Sequence, residues 1–167
     1  LAQKLAQAKQ CESCHVGREA VASHAVRGTQ FVASFDRSVH GAALNAGKAD
    51  AANCVDCHGA HEMDRALAAN ARVNKLHLAA TCAQCHEKTA REFGESVHAA
   101  GLRKGNIDSD SCTDCHGEHD MRSRSDPDSP THASNVAREV CANCHASLRL
   151  TKKYGLQLRD RTVVEIF

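Results

Sequence analysis

At 167 residues with a formal net charge of +1, the chain has single-domain length and lacks the basic excess of a nucleic-acid binder. Its 42% hydrophobic content is ordinary in size but not in kind: no Trp, one Tyr, four Phe and two Met leave few large side chains to fill a core, while Cys (10) and His (12) are far above usual usage. Something other than side chains is therefore expected to fill the interior, and no stretch approaches the roughly 18 apolar residues of a membrane span.

The opening LAQKLAQAKQ is rich in Ala, Leu, Lys and Gln and predicts a helix running into CESCH, Cys11–His15. VASHAVRG then carries a lone His24. FDRSVHGAALNAG, from Phe35, contains His40 and predicts a helix ended by Gly47. CVDCHGAH follows, Cys54–His61, with Met63 just beyond. DRALAANARVNKL, from Asp64, predicts a second short helix, and His77 lies in NKLHLAAT ahead of CAQCH, Cys82–His86. The pattern then returns at an interval of fifty-eight residues. FGESVHAAGL, with His98, matches FDRSVHGAAL, and CTDCHGEH, Cys112–His119, matches CVDCHGAH, with Met121 in the place of Met63. SRSDPDSPT, Ser123 to Thr131, holds both prolines and predicts a surface loop. His132 in SPTHASNV and the motif CANCH, Cys141–His145, complete the series, and the terminal TVVEIF has the character of an edge strand.

All ten cysteines fall into five pairs of one kind: Cys11 and Cys14, Cys54 and Cys57, Cys82 and Cys85, Cys112 and Cys115, Cys141 and Cys144. Each second Cys is followed by His, giving Cys-x-x-Cys-His, the attachment signature of c-type haem. Two thiols one short turn apart can each add to a porphyrin vinyl group while the next residue directs its imidazole at the iron. His15, His58, His86, His116 and His145 are then the proximal ligands of five covalently bound haems. A disulfide framework gives no reason for the His, zinc ribbons use such pairs two at a time, and a redox Cys-x-x-Cys occurs once in an α/β pattern.

The periodic histidines His40, His61, His98 and His119 are expected to be distal axial ligands of low-spin bis-histidine haems, with Met63 and Met121 packing against porphyrin. That supplies four ligands for five irons. The fifth is expected from His24, His77 or His132, or from outside these residues, in a continuation of the chain or a neighbouring subunit. Arg65, Arg72, Arg103 and Arg122 are candidate partners of haem propionates. Five ferric haems at about −1 each would bring the holoprotein to about −4.

The stretches SVHGAALNAGKADAANCVDCHGAHEM with TCAQCH, and SVHAAGLRKGNIDSDSCTDCHGEHDM with VCANCH, resemble the doubled Cys-x-x-Cys-His repeat of multihaem cytochromes c from respiratory and metal-reducing bacteria. The resemblance implies a periplasmic or extracellular electron-transfer protein with closely stacked haems. The expected fold is mainly α with much irregular loop and little or no sheet: short helices wrapped around a stacked chain of haems in one domain spanning 1–167. A leading motif at 11–15 precedes repeats at about 35–86 and 93–145. Partners are expected to be redox proteins or copies of the chain itself, up to an oligomer or filament, with no nucleic acid and no transmembrane segment. Passage of electrons without a substrate site is the first functional expectation; the alternative is a subunit of a multihaem reductase with one incompletely ligated haem.

Overall fold

The computed structural model describes residues 1–16 and 30–155; His24 and the TVVEIF segment lie outside them. Among the described residues every regular element is helical and most are under three turns long, so the expectation of a mainly α fold with much loop is met. The chain forms two compact units. One comprises Leu1–Thr113 and Gly117–Met121, the other Asp114–His116 and the chain from Arg122 onward, and the boundary passes through the fourth Cys-x-x-Cys-His motif.

In the first unit, α1 (Ala2–His15) forms from uninterrupted helix formers, as expected, and carries the first motif on its last turn. Its Leu5 and Ala8 lie on one face, spaced for a single contact stripe, and join Leu44, Ala51, Phe35 and Ala43 in a small apolar cluster. The predicted helix from Phe35 is two helices, α2 (Gln30–Arg37) and α3 (Val39–Asn45). Ser38 divides them because its backbone is extended and its hydroxyl caps α3, accepting from the Gly41 amide at 3.1 Å and donating to the Phe35 carbonyl at 2.6 Å. Burying Leu44, 2% exposed, contributes about 2 kcal/mol.

The second motif is itself a helix, α4 (Cys54–His58), started by a capping box in which Asn53 accepts from Val55 and Asp56 while the Asp56 carboxylate accepts from the Asn53 amide at 2.8 Å. Asn53 also binds α1, donating from Nδ2 to the Lys4 carbonyl at 3.2 Å and to Gln7 at 3.0 Å. Lys4 completes the joint with a 2.9 Å bond to Asp56. Gly59 ends α4 at φ 80° and ψ 175°, a conformation essentially reserved to glycine, and the chain turns sharply away from the motif.

The helix predicted from Asp64 does not form. Residues 65–77 are instead a run of turns in which every third amide bonds back three residues: Ala68 to Arg65, Ala71 to Ala68, Asn74 to Ala71, His77 to Asn74. Ala, Leu and Arg give the segment helical propensity, but Asn74 overrides it by donating from Nδ2 to the carbonyls of Ala66 at 3.2 Å and Ala68 at 3.1 Å. The helix α5 (Leu78–Ala83) then delivers the third motif, followed by α6 (Glu87–Gly94), α7 (Val97–Arg103) and α8 (Cys112–His116), which is the fourth motif.

In the second unit the SRSDPDSPT segment is a loop, as expected, and it repeats the run of turns sixty-one residues on: Ser129 to Asp126, His132 to Ser129, Asn135 to His132. Asn135 takes the part of Asn74, donating to Pro127 O at 2.7 Å and Ser129 O at 3.0 Å. A π-helical turn, Ala137–Cys141, leads into α9 (Ala142–His145), so the fifth motif straddles a wide turn and a narrow one. The last described helix is α10 (Leu148–Tyr154).

Candidate metal centres

Each Cys-x-x-Cys-His segment lies at or inside a helical turn, which puts its two sulfurs on neighbouring turns and its imidazole at the helix end. No disulfide links any of the ten cysteines. In the first unit the thiols of successive motifs approach one another. Cys54 is hydrogen-bonded to Cys11, and burial followed by the Cys11 sulfur pushes its thiol up to about 11. Cys57 is pushed up by burial and Asp56, against the pull of Arg72, with a smaller contribution from Cys85. The Cys82 thiol is raised strongly by its hydrogen bond to Cys112 and then by burial. Motifs one to four are thereby strung in sequence order, each with a sulfur in electrostatic reach of the next.

The imidazoles come together in twos. His40 and His86 have ring centroids 6.0 Å apart with planes at 49°, and His58 and His119 are also 6.0 Å apart with planes at 5°. Burial lowers the pKa of His40, and the charge of His86 lowers it further. Burial does the same to His58, reinforced by His119 and His15 and opposed by Glu118. The neutral form so favoured is the one that binds a metal. His119 Nδ1 is buried without a hydrogen-bond partner, and Phe31 packs on the same ring at 4.8 Å.

These features fit a haem iron. Bonds of about 2 Å on either side of one metal, plus the half-widths of two five-membered rings, separate axial imidazole centroids by about 6 Å. Porphyrin supplies four of six ligands, so the protein need bring only two. Among the described residues no three of His, Cys, Asp and Glu converge as a bare ion would require. The Glu118 carboxylate lies 4.0 Å from His119 Nδ1.

The other expected ligands have different surroundings. His61 and His116 are exposed and have no imidazole partner among the described residues. His98 directs Nε2 at the Asp110 carboxylate, 3.7 Å away. Two of the histidines left over by the fifty-eight-residue period have local partners. His77 Nδ1 lies 3.2 Å from the Ala71 carbonyl, which only accepts, so Nδ1 carries the proton and the Nε2 of the neutral ring has a lone pair for a metal. His132 Nδ1 lies 2.7 Å from the Ser134 hydroxyl, which can donate or accept, and 3.3 Å from the Ser134 amide. Met63 is exposed, while the Met121 carbonyl accepts from the Val39 amide at 2.8 Å. Arg72 donates to Gln84 at 2.9 Å, Arg103 to the Gly94 carbonyl at 2.7 Å, and Arg122 lies 3.4 and 3.5 Å from Asp126 and Asp128.

Phe31 and Asp110, which touch His119 and His98, lie outside the motifs; Asp110 alone had a signal, as a carboxylate where the first repeat has Ala52. No helix among the described residues is long and apolar enough to cross a membrane. No protein-family model, curated protein or solved structure matches the chain.

Proposed function

We propose that the chain is a multihaem cytochrome c that binds five haems covalently and passes electrons between redox partners or neighbouring copies of itself. The observation that carries this is the use of all ten cysteines in five Cys-x-x-Cys-His motifs, joined to two imidazole pairs at the across-iron spacing. When bound, each haem supplies a one-electron ferric/ferrous couple. The residues supply the rest. Ten sulfurs would hold the groups against loss, the ordered contacts of Cys11 with Cys54 and Cys82 with Cys112 would set neighbours close together, and the pairs His40–His86 and His58–His119 would each hold one iron from both sides. His77, with its Nε2 lone pair available, is our candidate for the fifth distal ligand.

Thioether formation takes place outside the cytoplasmic membrane, which makes this a protein of the periplasm or cell surface. Intact mass and an electron paramagnetic resonance spectrum test the reading together. The expected result is a mass above the polypeptide by five haems with all iron low-spin. A mass without haem overturns the assignment, and a high-spin signal stoichiometric with protein replaces simple electron transfer by a reductase subunit.

A further inference from the structure

The spacing that fits an iron between two imidazoles also says which imidazoles share one. Resting on the haem reading above, we propose that axial ligation is crossed between segments: His40 shares an iron with His86 of the third motif, and His119, beyond the fourth motif, shares one with His58 of the second. Both pairs have centroids 6.0 Å apart, and their different interplanar angles, 49° and 5°, are both compatible with axial ligation because rotation about the metal–nitrogen axis is free.

Sequence proximity points elsewhere. His61, three residues past His58, is the nearest candidate for the second iron, as His119 is for the iron of His116. Three residues span at most about 10 Å, too short a path round the rim of a macrocycle whose near face the motif already covers. The glycine turn at Gly59 directs the chain away, and His61 stands exposed beyond it. His119 reaches His58 from sixty-one residues downstream, and Phe31, with its ring 4.8 Å from that of His119, is the positioning residue that holds it there.

The two spans, 40 to 86 and 58 to 119, overlap without either enclosing the other. Two irons so ligated would be overlapping cross-links within the first unit.

Spin counting tests the pairing. Among single variants of the full chain, H58G, H86G and H119G are each expected to give one high-spin iron per chain by integrated paramagnetic resonance. The double variant H58G/H119G should still give one, because both ligands leave the same iron, whereas H86G/H119G should give two. H40G/H86G should give one and H40G/H58G two. Two high-spin irons from either proposed pair, or one from either crossed control, overturns the assignment. Intact mass separates the two failures: absent haem overturns the haem reading, and five attached haems with the wrong count overturn the pairing alone. Should the variants fail to mature, dipolar contacts in the proton resonance spectrum of the unaltered holoprotein decide. The rings of His58 and His119 are expected to contact methyl groups of one porphyrin, and contacts to two different porphyrins overturn the proposal.

Discussion

The two repeats share helix caps and glycine turns and differ in how tightly they are held. Ser38 and Ser96 cap α3 and α7 in the same way, with 3.1 Å bonds from the amides of Gly41 and Ala99, and Gly59 and Gly117 leave the second and fourth motifs at φ 80° and 78°. The first repeat is clasped by α1 through Asn53, Lys4 and Asp56. Asp56 records that clasp. Burial alone would raise its carboxyl, but the Asn53 amide, Lys4 and Arg72 outweigh burial and hold it below its usual range. The second repeat has Ser111 in place of Asn53, with no amide group to offer a neighbouring helix. Small residues trade places in step: Ala43 and Ala51 in the first repeat become Gly101 and Ser109 in the second, where a Cβ on Gly101 would meet the Ser109 side chain. What is shared is the backbone route that presents Cys-x-x-Cys-His, and what varies is the packing outside it.

The largest test of that difference is at Gly41. A Cβ there would meet the Phe35 carbonyl and the Asp36 backbone, neither of which can swing aside, whereas the matching residue is already Ala99. Gly41→Ala is expected to cost about 3 kcal/mol in chemical denaturation of the holoprotein, and Ala99→Gly about 1 kcal/mol from helix propensity alone. Equal losses at both positions would remove the claim that the first repeat is the tighter one. A smaller effect is expected from Asn53→Ser, which imports the residue of the second repeat. The hydroxyl can still cap α4, but the bonds to Lys4 and Gln7 go, at a cost of about 1–2 kcal/mol. Faster hydrogen exchange across α1 should accompany it, and unchanged exchange there would show that Asn53 does not anchor the helix.

The smallest effect is electrostatic. If His98 is a distal ligand, as the sequence period leads one to expect, the Asp110 carboxylate favours the ferric state of that centre, and the first repeat has no such charge because Ala52 stands there. Asp110→Ala is expected to raise one potential by on the order of tens of mV, and Ala52→Asp to lower a different one by a similar amount. A redox titration of each variant checks this; superimposable curves would remove Asp110 from the set of groups that tune the haems.

Much of the local structure was legible in the sequence, and little of the pairing was. The helix at 2–15 follows from its composition, and the loop at 123–131 from its prolines. The misread segment at 64–76 shows the limit of propensity, since one amide group, on Asn74, withdraws two carbonyls from any helix and leaves a chain of turns. Its counterpart at Asn135 shows that the loop belongs to both repeats, although the residues between have almost nothing in common. The fifty-eight-residue period marked His40 and His119 as special, but neither meets its imidazole partner within its own motif. Those partners lie forty-six and sixty-one residues away, where no local pattern records the contact. Nor does sequence record tautomers: that of His77 is set by the Ala71 carbonyl, six residues back, which faces its Nδ1.

The first unit closes with a segment that comes after the fourth motif. Gly117–Met121 returns to it, and Met121 supplies the carbonyl that takes up the Val39 amide at the start of α3. A chain shuffled or duplicated at the sequence repeat, near residue 93, would leave that amide without its acceptor and His58 without His119. A join placed after Met121 keeps both. The module that could be copied, fused or exchanged intact is therefore longer than the repeat that is visible in the sequence, and it ends one motif later.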